Sequence, residues 1–160
     1  TKYCTSSNYG IIDNNIVLDF EDDVATVNWK DSWRMPTDAE MTELREKCKW
    51  TWTTQNGVKG YKVVGPNGNS IFLPAAGYIF EGTLYHAGSD GSYCSSSLDA
   101  PRYPNYAYVM GFLSTSVFCL TYGRSLGLSV RPVFQWAGDK ELGVINSLRF
   151  ARPPKIGGRY

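Results

Sequence analysis

The sequence predicts an α+β protein in which two helices precede a twisted, mainly antiparallel sheet with long loops. Three observations point there. Helix-like segments led by acids or a Thr occupy the chain before Cys48, whereas short runs rich in Trp, Tyr, Val and Thr, separated by Gly-, Asn- and Ser-rich turns, follow it. No repeat of roughly 20–50 residues is visible, which removes solenoids and propellers.

Taken in order, "DFEDDVATVNW" (residues 19–29) sets Glu21, Asp22 and Asp23 ahead of Val24, Ala25 and Val27. Carboxylates favour the positive end of a helix, so a helix of about two turns is expected here. In "MPTDAEMTELREKC", Thr37 and Glu40 have capping-box spacing, and Met41, Leu44 and Cys48 fall on one face, which predicts a helix from Asp38 to Lys47. "WTWTT", "GYKVV" and "SIFLP" read as strands, with a hairpin around Pro66 to Asn69. "SYCSSS" reads as a strand, and two more are expected at Tyr106 to Leu113 and Gly127 to Phe134. Trp33, Trp50, Leu73, Phe112 and Val130 are expected in the core, with Val117 and Val133 also facing inward. Between those strands, Phe118 to Leu126 follows neither the helix period nor the strand period despite its large apolar groups.

A chain of 160 residues can enclose a core without staples, and residues 1–134 read as one domain. Residues 135–160, which end in Pro-Pro and Gly-Gly segments, read as an extension in which Val144, Ile145, Leu148 and Phe150 form a further docking element. Sixteen Lys and Arg against 15 Asp and Glu leave a charge of +1, without the field that gathers phosphates, so nucleic acid is not an expected partner. Aromatic residues make up 14% and charged residues only 19%, which suits a secreted or cell-surface β-rich module. No transmembrane stretch or signal peptide is visible, so direct membrane insertion is not expected. The start at Thr1 without Met suggests a processed or trimmed chain whose export signal lay upstream.

Chemistry is poorly supplied. His86 is the one histidine, which argues against catalytic zinc and non-heme iron, and Cys4, Cys48, Cys94 and Cys119 lack CxxC spacing. Cys4 and Cys48 are open to two readings, a disulfide in an exported protein or two free thiols. No G-x-S-x-G elbow, Walker loop or dinucleotide fingerprint occurs. "FEDD" and "GSDGS" are the only stretches that resemble calcium ligands, and they read better as a helix start and a turn. No cofactor, metal or catalytic residue is expected.

Five stretches in order, "SWRMPTDAEMTEL", "WTWTTQNGVKGYKV", "GNSIFLPAAGY", "YCSSS" and "GLSVRPV", resemble the Fibrobacter succinogenes major paralogous domain over about residues 2–133. That family is common in surface proteins and lipoproteins of gut Bacteroidetes. The resemblance implies a C-type-lectin-like fold, shared with the formylglycine-generating enzyme group. Trp33, Arg34, Met35, Pro36 and Thr37 match the motif that starts a helix and buries a tryptophan. The chain departs from the family in two places: the usual upstream first strand has no counterpart, and Cys94 stands where many members have Trp. The enzyme relatives use a cysteine pair, which Cys94 and Cys119 would have to imitate.

Some proteins of this fold and family are similar to variable proteins of diversity-generating retroelements, in which adenine-directed mutation rewrites residues near the C-terminal end of the domain. Asn codons rewritten this way cannot yield Lys, Glu, Gln, Met or Trp, and none of these occurs between Leu113 and Arg131. Tyr, Ser and Gly with a few large apolar groups also form the composition of antibody loops. The expected ligand-binding residues are Tyr103, Tyr106, Gly111, Leu113, Phe118, Leu120, Thr121, Tyr122, Ser125 and Leu126, on one exposed face and offered to a protein or glycan. Two other readings stay open: a structural or adhesion domain of a surface lipoprotein without a diversified site, and an oxidase built on Cys94 and Cys119.

Overall fold

The first helix begins where it does because of Asp23. In the computed structural model, which describes residues 2–30, 32–99 and 102–134, the buried Asp23 carboxylate accepts the N–H groups of Ala25 (2.8 Å), Thr26 (3.0 Å) and Met35 (2.8 Å). One side chain thus caps α1 (Val24–Trp29) and holds the chain that enters the next element. At six residues α1 is close to the two turns predicted, and of the three acids Asp23 is the one that caps it. Asp22 instead accepts from Lys2 Nζ at 2.7 Å and from the Tyr3 hydroxyl, pinning the N-terminal segment.

After the two-residue β1 (Trp33–Arg34), α2 (Asp38–Lys47) has its predicted span, and its capping box is closed in both directions. Thr37 Oγ1 accepts the Glu40 N–H at 3.3 Å, and Glu40 Oε2 accepts the Thr37 N–H at 2.8 Å. Met41 and Leu44 are buried, and Cys48 is half-buried at the C-cap.

β2 (Lys49–Gln55), β3 (Val58–Val64) and β4 (Ser70–Pro74) form an antiparallel meander. Asn56 and Gly57, at φ 51° and 79°, make the two-residue turn between the first two of these strands that the strand twist favours. The second turn closes from the Gly65 N–H to the Asn69 carbonyl at 2.9 Å, within the predicted hairpin region. A small ribbon follows, β5 (Tyr78–Phe80) with β6 (Thr83–Tyr85), leaving Ile79, Phe80, Leu84 and Tyr85 exposed.

The other main sheet is antiparallel, β7 (Gly91–Leu98), β8 (Tyr106–Leu113) and β9 (Ser116–Gly123), with β8 in the middle. The register jumps between Cys94, which faces Val109, and Leu98, which faces Ala107, so the triple serine bulges out of the ladder. The strand expected from Gly127 to Phe134 is broken up. Gly127 exchanges backbone bonds with Ile79 and Ser129 with β7, and only β10 (Val133–Phe134) pairs again, with β1. Pro132, which has no N–H to donate, separates the pieces.

α2 packs on one face of the β7–β8–β9 sheet, and the core lies between it and the two three-stranded sheets. Met41, Leu44, Val63, Leu73, Met110 and Phe112 fill it. The Phe112 ring has Tyr61, Trp50, Trp52 and Tyr93 around it, with centroids 5.2, 6.3, 6.3 and 5.9 Å away. Trp33, Leu73 and Phe112 are buried as expected, and Val117 and Val133 are half-buried against the core. Trp50 and Val130, expected inside, are only half-buried. Trp50 sits at the rim, where its indole N–H donates to the Leu44 carbonyl at 3.2 Å, and Val130 lines a surface cleft. Among the described residues the class is α+β, with two helices and several antiparallel sheets. Among the described residues no helix is long and apolar enough to cross a membrane. The expected extension at 135–160, with Val144, Ile145, Leu148 and Phe150, lies outside the described residues.

Candidate functional site

The stretch that lacked a period in the sequence is a regular strand. β9 pairs with β8 without interruption, Val117 opposite Phe112, Phe118 opposite Gly111, Leu120 opposite Val109 and Tyr122 opposite Ala107. Alternation sends Val117, Cys119 and Thr121 to the side covered by α2, where Thr42 Oγ1 lies 3.9 Å from Cys119 Sγ. Phe118, Leu120 and Tyr122 point to the other side. Both faces are half-covered, so neither face required polar side chains, and the expected contrast between an outer and an inner set disappears.

The ten residues expected on one exposed face therefore divide. Tyr103 is 54% exposed and Leu113 40%, and Ser125 is also exposed. Tyr106, Phe118, Leu120, Thr121, Tyr122 and Leu126 are half-buried, with Thr121 on the face opposite Phe118, Leu120 and Tyr122. Gly111 is buried, because the Phe118 ring lies over it so closely that a Cβ there would meet Phe118 at 2.3 Å. Leu113 stands at the β8–β9 hairpin, roughly 23 Å along the strand from Tyr106 at about 3.3 Å per residue.

A smaller group does come together at the other end of the sheet. A cleft of about 420 Å³ is lined by Tyr9, Pro104, Asn105, Gly123, Arg124 and Ser125. Tyr103 and Tyr106 flank its Pro104–Asn105 rim in sequence, with ring centroids 5.2 Å apart at 42°. The backbone there is held by the Arg124 N–H on the Asn105 carbonyl at 3.0 Å, one step beyond the Tyr106–Gly123 pair. The Arg124 guanidinium donates to the Tyr3 carbonyl at 3.2 Å and lies 5.9 Å from the Tyr3 ring centre, which ties the cleft wall to the N-terminal segment. Tyr9, Asn105 and Arg124 were not among the expected site residues. Asn105 and Arg124 follow from extending the β8–β9 register by one pair, whereas Tyr9 carries no sequence signal that would bring it here.

The thiols are arranged quite differently from a catalytic pair. Cys94 shares a face with Val109 and Leu120, while Cys119 shares the opposite face with Met110, and β8 separates them. Burial pushes the Cys94 thiol up to about 11, and burial likewise raises Cys119. All four cysteines are free thiols, so Cys4 and Cys48 are not joined; Cys4 Sγ instead donates to the Ser6 carbonyl at 2.8 Å. His86 is exposed, stacked on Tyr78 at 5.7 Å and 3.7 Å from Asp90. No group of three His, Cys, Asp or Glu able to hold a metal occurs among the described residues. Comparison of the chain with protein-family models, with curated proteins and with solved structures gives no match.

Proposed function

We propose that this protein is a noncatalytic ligand-binding module of C-type-lectin-like fold, exported to the cell surface or beyond, which presents a tyrosine-, serine- and glycine-rich surface to a protein or glycan. The observation that carries the reading is the cleft at residues 103–106 and 123–125. There Tyr9, Asn105, Arg124 and the exposed Ser125 line an open volume, the paired rings of Tyr103 and Tyr106 flank its Pro104–Asn105 rim in sequence, and no metal-ligating group of three His, Cys, Asp or Glu occurs among the described residues. Tyrosine offers broad contact at low entropic cost, and serine and asparagine adapt their hydrogen bonds to the partner. The residues between Leu113 and Arg131 fit rewriting by a diversity-generating retroelement, and the DNA of the locus tests that part directly. A neighbouring reverse transcriptase and a matching template repeat are expected, and their absence removes diversification from the proposal.

One observation favours the rival reading, a structural or adhesion domain with no diversified site. Phe118 is committed to covering Gly111, and Leu120 and Tyr122 are half-buried beside it, so much of the expected display strand is held by packing. The binding face proposed here accordingly contracts to Tyr103, Tyr106 and Ser125 with Tyr9, Asn105 and Arg124. The oxidase reading has no comparable support, since Cys94 and Cys119 lie on opposite sheet faces and both thiols are held protonated.

Glycan arrays and displayed-peptide libraries supply the test. The wild-type chain is expected to select members of one class, and the Tyr103→Ala/Tyr106→Ala variant to lose that selection while it still unfolds cooperatively in urea, with Tyr103→Ala alone within the range of a surface substitution, about 0.5 kcal/mol. Selection that survives the double variant, or a wild-type chain that selects from neither library, overturns the proposal.

A further inference from the structure

A second cleft lies away from the tyrosine group, between β4 and the segment that follows Gly127. It has a volume of about 270 Å³, and Phe72, Pro74, Ala76, Tyr93, Val130 and Arg131 are among the side chains around it. Arg131 is half-buried there. None of the ion pairs of the described residues includes it, and its guanidinium has no hydrogen-bond acceptor among them. The neighbouring Tyr93 is no counterion: its hydroxyl donates to the Pro74 carbonyl at 2.8 Å, and burial raises its pKa, so the phenol stays neutral. A partly desolvated cation without an acceptor is costly, and arginine keeps its charge where other groups would shed theirs. Burial lowers the Arg131 pKa from its ordinary value, and the interaction with Tyr93 that works against it is the smaller of the two.

We infer that this cleft binds the carboxylate of a small organic acid with an apolar or aromatic body, the acid lying in the fork of the Arg131 guanidinium and the body against Phe72, Pro74 and Val130. One positive charge matches a monoanion. A phosphate dianion would call for a second cation, and no Lys or other Arg lines the cleft. The planar fork of donors fits the two oxygens of a carboxylate, while Ser129 adds a small polar residue to the lining. The apolar remainder of the lining rewards a hydrocarbon body, which an inorganic anion lacks. This site is independent of the tyrosine cleft, so either can fail without the other.

Calorimetric titration of the full chain with sodium benzoate, with sodium phosphate and chloride at equal ionic strength as controls, tests the inference. Saturable 1:1 binding of benzoate is expected, with neither control competing. Arg131→Gln is expected to weaken it at least about tenfold, the scale of one lost charge-assisted pair. Should Arg131→Gln not fold by circular dichroism, Arg131→Lys serves: it keeps the charge, loses the fork, and is expected to bind several-fold more weakly. N-acetylphenylalanine in a parallel arm distinguishes a free acid from the C-terminal carboxylate of a peptide, the tighter of the two marking the source. Absence of saturable benzoate binding, unchanged affinity in the variant, or equal binding of phosphate overturns the inference.

Discussion

A single carboxylate, that of Glu40, accepts the Thr37 N–H and receives both terminal nitrogens of Arg34, at 2.7 and 2.6 Å, in a nearly buried setting. Burial by itself would push the Glu40 pKa up, but the Arg34 guanidinium and the Thr37 donors outweigh it, and the net shift is downward. A depressed carboxyl contributes stability above the unfolded value of about 4.3 and loses it as pH falls through the folded value. Glu40→Gln is therefore expected to cost about 3 kcal/mol at pH 7, because it takes the charged carboxylate away from the half-buried Arg34 guanidinium. The gap from wild type should narrow below about pH 4. Urea denaturation across pH 3–7 checks both the size and the direction. Trp33→Ala, which removes a buried ring packed edge-on to Phe134 at 5.2 Å, is expected to cost about 3–5 kcal/mol in the same assay. Trp33 opens the Trp-Arg-Met-Pro-Thr stretch and Glu40 lies three residues beyond its Thr37, and their roles were legible because cap spacing and a tryptophan beside a helix start are local patterns. The Asp23 cap was less so, since its third partner, the Met35 N–H, lies twelve residues away.

At the scale of the elements, α2 and β8 took their predicted bounds, whereas β9 was misread, for a reason that belongs to sheets rather than to this chain. Sequence period reports contrast between faces, and β9 has α2 on one side and partial cover on the other, so the contrast it reports is absent. Two cross-strand glycines add information that no period carries. Phe118 lies over Gly111 and Phe112 over Gly91, so that a Cβ at Gly91 would meet the Phe112 ring at 2.1 Å. Aromatic rings here stand in for side chains that glycine lacks. Gly111→Ala and Phe118→Ala should each destabilise, by roughly 1–3 kcal/mol, the first by collision and the second by lost cover. Because truncating the ring relieves the collision, the double variant should cost less than the sum by about 1 kcal/mol or more. Additive losses in a denaturant cycle would mean that ring and glycine do not act as a pair.

For the molecule as a whole, folding separates two clefts that the sequence could not tell apart from ordinary loop and strand. The tyrosine cleft needed Tyr9 to arrive from the N-terminal segment, and the Arg131 cleft needed β4 beside residues 129–131, contacts set by topology alone. Global stability should also fall on the alkaline side, where the half-buried thiol of Cys94, pushed up to about 11, ionises more readily unfolded, near 8.5. From about pH 8.5 upward the unfolded chain binds fewer protons, so stability declines, by on the order of 3 kcal/mol at pH 11 from this group. Cys94→Ala should flatten that decline, as measured by denaturation at pH 7–10. The triple-serine bulge has a further meaning for motion. The Ser96 N–H donates to Pro36 at 2.8 Å, the Ser96 carbonyl accepts from Leu18 at 3.0 Å, the Leu98 N–H donates to Ile16 at 2.8 Å, and Ser97 Oγ accepts from Asp38 at 3.1 Å. Hydrogen exchange at Ser96 and Leu98 consequently requires parting of the sheet from the helix entrance or the N-terminal segment. Those amides should exchange with the slowest, globally opening class, while amides of the exposed β5–β6 ribbon exchange through local fraying.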